Sequence, residues 1–270
     1  MEYVTVAGEE VPALGLGTYR LRGRECRRTV EDALELGYRH VDTAEFYDNH
    51  APVGEAISNA AVAREELFLT TKIWKSNLRY EDVLHSVVDS LETLDLEYVD
   101  LLLIHWPNER VPVEETIDAM NDLQAEGIVR HVGVSNFSIH LLRKAIDASE
   151  TPILTNQVQY NPLTDQRDLL EFCLERDVML TAYSPLAKGR VLENGTLAEI
   201  GESYGKSPAQ VALRWLIQQE VVAASPKASS REHLEANLAV FDFELTDDEM
   251  TRIFDLQGSL LGRLRARLGL

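Results

Sequence analysis

Lysine is scarce in this chain: of 26 basic side chains only six are lysines, at positions 72, 75, 144, 188, 206 and 227, against 45 aspartates and glutamates, for a formal net charge of −19. A field of that sign repels nucleic acid and anionic lipid, so both are excluded as partners. A lysine-poor acidic surface also suits a salt-loving source, because molar salt cuts the Debye length to about 3 Å and screens the self-repulsion. Cysteine is scarcer still, at Cys26 and Cys173 only. The first residues, Met1 to Val6, lack the basic and apolar regions of an export signal. Two isolated cysteines are therefore expected reduced and packed, in a cytoplasmic protein. No apolar run approaches the ~20 residues of a membrane span. His40, His50, His85, His131, His140 and His233 show no metal-ligand spacing, and no metal is expected. Nucleotide loops are missing as well. Gly15-Leu16-Gly17 lies inside a strand with no helix opening directly after it, and Gly201 to Ser207 has one residue too few between its glycines for a phosphate-binding P-loop.

What is present is a 45% hydrophobic composition, enough for a full core, in a length of 270 residues that suits one α/β barrel. Val4 to Pro12 reads as a hairpin around Gly8. Strands follow at 14–18, 39–42, 67–71, 99–104, 131–135, 155–159, 179–183 and 221–225. Helical patterns lie between them at 25–36, 81–94, 114–126, 139–148, 169–176, 208–219 and 232–240. Gly37 is placed to end the first helix, Ser207-Pro208 to start a late one, and Thr246 to Glu249 to open another as a capping box. Eight strands alternating with helices predict a (β/α)8 TIM barrel with an N-terminal β-hairpin, one domain over 1–270. No periodic apolar stripe is left over on a helix, so a monomer is expected.

The chemistry stands at the strand exits. Asp42 and Tyr47 follow the second barrel strand, Lys72 the third and His105 the fourth. In a parallel barrel all exits open on one face, so these four can meet. Singly, each has a plain structural reading: a capping Asp, a core Tyr, a rim Lys, a packed His. Together they can reduce a carbonyl. A free phenol, with a pKa near 10, donates poorly at neutral pH. An ammonium about 4 Å away, at an effective dielectric near 20, favours phenolate by roughly 4 kcal/mol before desolvation opposes it. Lys72 fits that ammonium, Asp42 its counter-charge, and His105 a hydrogen-bond donor to the carbonyl.

Signatures then run in order along nearly the whole chain: Leu14-Gly15-Leu16-Gly17-Thr18, Asp42-Thr43-Ala44 with Tyr47 and Gly54-Glu55, Thr71-Lys72, His105-Trp106-Pro107, Gly133 to Phe137, Asn156-Gln157 with Tyr160-Asn161-Pro162, Ala182 to Leu186, and Pro226-Lys227. On these the chain resembles the aldo-keto reductases of prokaryotic, diketogluconate- and glyoxal-reducing type, with a haloarchaeal origin as an associated expectation. The resemblance implies NAD(P)H-dependent reduction of aldehydes and ketones, with Asp42, Tyr47, Lys72 and His105 catalytic. It places Tyr183 against the nicotinamide and Ser135, Asn136 and Gln157 on its carboxamide. Thr18 and Asp42 fall at the ribose, Ser184, Leu186 and Lys188 in the loop over the pyrophosphate, and Lys227, Ser229, His233 and Asn237 at the adenosine phosphate. NADPH-preferring members usually carry Ser right after that Lys and Arg six residues beyond it. Here those positions are Ala228 and His233, with Arg231 nearby as a substitute. NADP is the expected cofactor and NAD the alternative.

The expected substrate is a small carbonyl compound, in a pocket formed by Tyr19, Phe46, Trp74, His105 and Trp106. The short loop from Asn108 to about Val113 and the brief stretch after Gly258, with three arginines among leucines, suggest an open pocket. Two rival functions share the barrel. One is a cofactor-binding, non-catalytic protein of the same family, disfavoured by retention of all four residues. The other is an isomerase or lyase without nicotinamide, disfavoured because Tyr183-Ser184-Pro185 lacks the glycines of a barrel phosphate site.

Overall fold

The computed structural model describes residues 1–258. The stretch after Gly258, part of the open-pocket expectation, lies outside them. Strands β1 (Tyr3–Val6) and β2 (Glu9–Pro12) pair antiparallel as the hairpin. The barrel itself alternates β3 (Leu16–Gly17), α1 (Gly23–Leu36), β4 (His40–Asp42), α2 (His50–Asn59), β5 (Phe68–Ile73), α3 (Tyr80–Leu94), β6 (Val99–Ile104), α4 (Val113–Ala125) and β7 (Val129–Ser135). It continues through α5 (Ile139–Ala148), β8 (Ile153–Gln159), α6 (Arg167–Glu175), β9 (Met179–Tyr183), α7 (Gly195–Tyr204), α8 (Pro208–Ile217), β10 (Val222–Ala224), α9 (Arg231–Leu238) and α10 (Asp247–Gly258). The eight strands β3 to β10 pair parallel in chain order. Isolated parallel bridges from Leu14 to Ala224 and from Gly17 to Lys227 close the sheet into the expected barrel.

Both faces of the central strands are covered, which is why β6 reads as one apolar run (Val-Asp-Leu-Leu-Leu-Ile) with every residue buried. Its lone charge, Asp100, is 2% exposed. Asp100 accepts from the Leu69 backbone N–H at 2.9 Å and pairs with Arg64 at 2.6 Å and Arg130 at 3.1 Å. Both guanidinium groups also lie 4.1 Å from the Tyr98 ring. Gly37 ends α1 at φ 104°, and the Ser207 and Thr246 capping boxes form as their residue types require. Cys26 and Cys173 are free and buried.

Two helices fall where the periodicity gives no signal. The α2 sequence, His-Ala-Pro-Val-Gly-Glu-Ala-Ile-Ser-Asn, contains both Pro52 and Gly54, two poor helix formers. Gly54 is there for packing: a Cβ would sit 2.0 Å from the Leu94 carbonyl oxygen, so α2 and the end of α3 touch backbone to backbone. The α7 helix starts at the Asn194 cap and contains Gly201, where a Cβ would lie 2.3 Å from the Lys206 carbonyl oxygen. The first barrel strand is also shorter than expected, because 14–18 pairs partly through the two seam bridges. Among the described residues, no helix is long and apolar enough to cross a membrane.

Candidate active site

The strand exits deliver the four residues to one place. Asp42 closes β4, Lys72 is the fifth residue of β5, His105 follows β6 directly, and Tyr47 ends a short 3-10 turn, Glu45–Tyr47, just past β4. Lys72 is 1% exposed, and its ammonium is saturated. It donates to Asp42 Oδ1 at 2.5 Å, to the Thr43 carbonyl at 2.9 Å and to the Tyr47 hydroxyl oxygen at 3.5 Å. Burial disfavours that ammonium, but Asp42 and Tyr47 overturn the penalty and hold its pKa above the ordinary lysine value. The other Asp42 oxygen, Oδ2, accepts from Gln157 Nε2 at 2.6 Å.

The balance at Tyr47 differs from the sequence-based expectation. Burial raises the phenol's pKa, Lys72 lowers it, and burial prevails, so the net direction is upward. The phenol is thus protonated at neutral pH. At His105, burial and then the Lys72 charge push the imidazole down to about 3, which leaves it neutral. Its Nδ1 is buried and has no hydrogen-bond partner among the described residues.

The aromatic wall assembles around this pair. Tyr19 lies 5.1 Å from Tyr47, ring centre to ring centre, and Trp74 lies 5.1 Å from His105. Phe46 stacks on Trp74 at 4.0 Å and 16°. Trp106 is 42% exposed and, among the described residues, makes no ring contact with the others.

The residues expected at the nicotinamide also meet. Tyr183 donates its hydroxyl to Asn136 Oδ1 at 2.9 Å. Asn136, at φ 63°, donates to the His105 carbonyl and to Ser135 Oγ, both at 3.0 Å. Ser135 donates to the Gln157 carbonyl at 2.8 Å. Thr18 is fully buried, and its hydroxyl donates to the Asp42 carbonyl at 3.0 Å. Ser184 and Lys188 stand in left-handed backbone at φ 50° and 56°, with Leu186 between them half-buried. At the far end Lys227, Ser229 and His233 are exposed, while Asn237 is buried beside the Tyr38 hydroxyl. Arg231, the possible substitute for the missing arginine, is already engaged. It pairs with Glu35 at 3.0 Å and with Asp32 and Glu235 at 3.3 Å each.

Sequence reasoning passed over four supporting side chains. Asn49 accepts from Thr43 Oγ1 at 2.7 Å and donates to the carbonyls of Thr18 and Leu21, tying the first two strand exits together. His50 meets Thr71 Oγ1 at 2.9 Å, beside Lys72. Thr43 offers its carbonyl to Lys72. Glu45 accepts from the Trp74 backbone N–H, from Ser86 and from Asn77. Proximity to Tyr47 in the sequence was the only signal for Asn49, His50 and Glu45.

Residues 13–257 match the model of the Aldo/keto reductase family. The chain is 40% identical over 247 residues to glyoxal reductase of Bacillus subtilis (strain 168), covering 91% of this chain and 89% of that protein. It is 41% identical over 246 residues to the methylglyoxal reductase DkgB of Escherichia coli O157:H7, covering 90% of this chain and 92% of that protein. A crystal structure of a candidate 2,5-diketo-D-gluconic acid reductase B superimposes with a TM-score of 0.94 at 44% identity, over 97% of this chain and 93% of that one.

Proposed function

The chain belongs to the Aldo/keto reductase family, and on that premise we propose that it reduces small aldehydes and ketones with NADPH, Tyr47 acting as general acid. One observation carries this reading. Lys72 donates to the phenolic oxygen, which leaves the Tyr47 O–H hydrogen uncommitted, and among the described residues it has no acceptor. That hydrogen is left for a substrate oxygen. Burial keeps the phenol protonated until a substrate arrives, and the buried Lys72 ammonium, kept charged by Asp42, stabilises the phenolate formed on transfer. His105, neutral, donates a hydrogen bond to the same carbonyl oxygen and turns the carbonyl carbon toward the cofactor side.

A bound nicotinamide would supply the hydride. The residues present fit it: Gln157 is 3% exposed, its Nε2 is spent on Asp42, and among the described residues its Oε1 accepts no hydrogen bond, which leaves it for a carboxamide N–H. Ser135, Asn136 and Tyr183 would complete that end, with Thr18 and Asp42 at the ribose and Ser184, Leu186 and Lys188 at the pyrophosphate. Lys227, Ser229, His233 and Asn237 would take the adenosine phosphate. With Arg231 engaged by carboxylates, the Lys227 ammonium and the His233 imidazole are left to meet a 2′-phosphate. NADPH is preferred over NADH by a modest margin on this reading. The relatives' substrates, glyoxal and methylglyoxal, suit a pocket formed by Tyr19, Phe46, Trp74, His105 and Trp106. The 270 residues act as one domain and as a monomer on the same reading.

The test is oxidation of NADPH and NADH with glyoxal or methylglyoxal, by wild type and Tyr47→Phe. Turnover in the wild type with near-complete loss in the variant is the expected result. Full activity in Tyr47→Phe would overturn the proton-donor assignment.

A further inference from the structure

No residue of the turn that presents Tyr47 is fully buried, so its ring contacts are supplemented by polar ties. The tie at its first residue is a carboxylate. Glu45 Oε2 accepts from the Trp74 backbone N–H at 2.8 Å and from Ser86 Oγ of α3 at 2.9 Å, and Oε1 accepts from Asn77. Trp74 and Asn77 belong to the loop after β5, itself closed by a hydrogen bond from the Asn77 N–H to the Trp74 carbonyl. The next residue along the turn, Phe46, stacks on the Trp74 indole. Glu45 and Phe46 therefore grip the same loop, one through its backbone and the other through its ring. Glu45 and its partners Asn77 and Ser86 also line a polar cavity of about 480 Å³, together with His85 and Asp89 among others. The tie reaches further: Asn108, in the loop that follows Trp106, donates to the Lys75 carbonyl at 2.8 Å.

We infer that Glu45 is a positioning residue that sets the distance between the aromatic wall and the proton donor, and so determines which carbonyl compounds are reduced well. The inference rests on the reading of Tyr47 as general acid and of Phe46 and Trp74 as substrate wall. Tyr47 has a second hold in Lys72, whereas the wall depends on the clamp. A dicarbonyl of two or three carbons engages Tyr47 and His105 without leaning on the wall. A flat aromatic aldehyde lies against Phe46 and Trp74, so its carbonyl reaches Tyr47 only when the wall stands at the right spacing. Loss of the clamp should separate the two substrate classes.

The experiment compares kcat and KM for glyoxal and for a nitro-substituted benzaldehyde in wild type, Glu45→Ala, Glu45→Asp, Glu45→Gln and Ser86→Ala, with thermal midpoints alongside. Glu45→Ala is expected to lose about tenfold more kcat/KM on the aromatic aldehyde than on glyoxal, the scale of one charge-assisted contact. Glu45→Asp, one methylene short, should resemble it. Glu45→Gln, which keeps the reach and one acceptor oxygen, should recover part of the difference. Ser86→Ala removes a donor from α3 outside the pocket and should show the same selective loss on a smaller scale, which keeps the test open if Glu45→Ala unfolds. An equal loss on both substrates, or no loss on either, overturns the clamp. Tyr47→Phe in parallel separates the two readings: if it is inactive while the Glu45 variants lose both substrates equally, the clamp fails and the general-acid reading stands.

Discussion

Gln157 donates its side-chain amide to Asp42 across 115 residues of sequence, over 2.6 Å. Asp42 is thereby held at both oxygens, by Lys72 on one and by Gln157 on the other. The residue expected at the nicotinamide and the residue that fixes the lysine charge are thus hydrogen-bonded neighbours. Gln157→Leu leaves one buried carboxylate oxygen without its donor, at a cost of about 1–3 kcal/mol. The Asp42 charge, no longer shared with that amide, then acts more fully on Tyr47, whose pKa it already raises. Of the groups around that phenol, Tyr19 also raises it and Lys72 lowers it, and His105, neutral, borders it. The expected outcome is a lower thermal midpoint together with an alkaline limb of kcat moved to higher pH. A pH profile of the variant beside wild type measures both the direction and its absence.

Acid stability should depend on His50. It is 7% exposed, and burial, then Lys72, lowers its pKa from 6.5 to about 4. Below pH 6.5 the unfolded chain takes up a proton that the folded chain refuses, so stability falls from there down to about pH 4 and is flat beyond. The whole effect is about 3 kcal/mol at most. His50→Gln keeps a group able to bond Thr71 and should flatten that part of the slope, as read from denaturant midpoints between pH 7 and 4 (a window set by ordinary histidine and carboxylate ranges, about 6.5 and 4).

Asp100 offers a test of stability without chemistry. It neutralises Arg64 and Arg130, which flank Tyr98 at the entry ends of β5 and β6, away from the strand exits that carry Lys72 and His105. Asp100→Asn leaves two cations facing each other without their counter-charge and should cost about 3 kcal/mol. Activity per folded molecule should be unchanged, which calorimetry and turnover on the same sample will check.

Cofactor choice should respond to charge near Lys227. His233→Arg supplies a permanent, forked cation where wild type has an exposed imidazole, and should tighten NADPH about tenfold while leaving NADH nearly unchanged. Glu35→Gln, which loosens the hold on Arg231, should move the ratio the same way by less. Dissociation constants from nicotinamide fluorescence give the comparison directly.

The net charge of −19 makes salt a stabiliser if self-repulsion dominates. The thermal midpoint is expected to rise between low and molar potassium chloride. A flat or falling midpoint would remove the support for a halophilic protein.

The barrel was legible because its strands are buried on both faces and bounded by turns, as β6 shows, and the quartet because strand exits share one rim. The α2 and α7 helices were not, since Gly54 and Gly201 are selected by backbone approach, a tertiary constraint that opposes local propensity. The sign of the shift at Tyr47 was equally out of reach. The pull of Lys72 can be sized from charge and distance, but the opposing burial, and the Asp42 and Tyr19 charges that add to it, exist only once the fold brings these groups together. The engagement of Arg231 by Asp32 and Glu35 joins residues almost 200 apart, so the sequence could suggest the arginine but not its occupation.

The seam of the barrel carries a consequence for the order in which the chain is made. Residues 13–17 find their partners at 224–227, so the first barrel strand to leave the ribosome waits for the last. Asp42, Tyr47, Lys72 and His105 are synthesised early and lie on adjacent strands, whereas Gln157, the second hold on Asp42, arrives later, and Lys227 later still. An arrested nascent chain ending before β10 would carry those four residues on an open sheet with an unpaired edge at β3, a species for chaperones to shield.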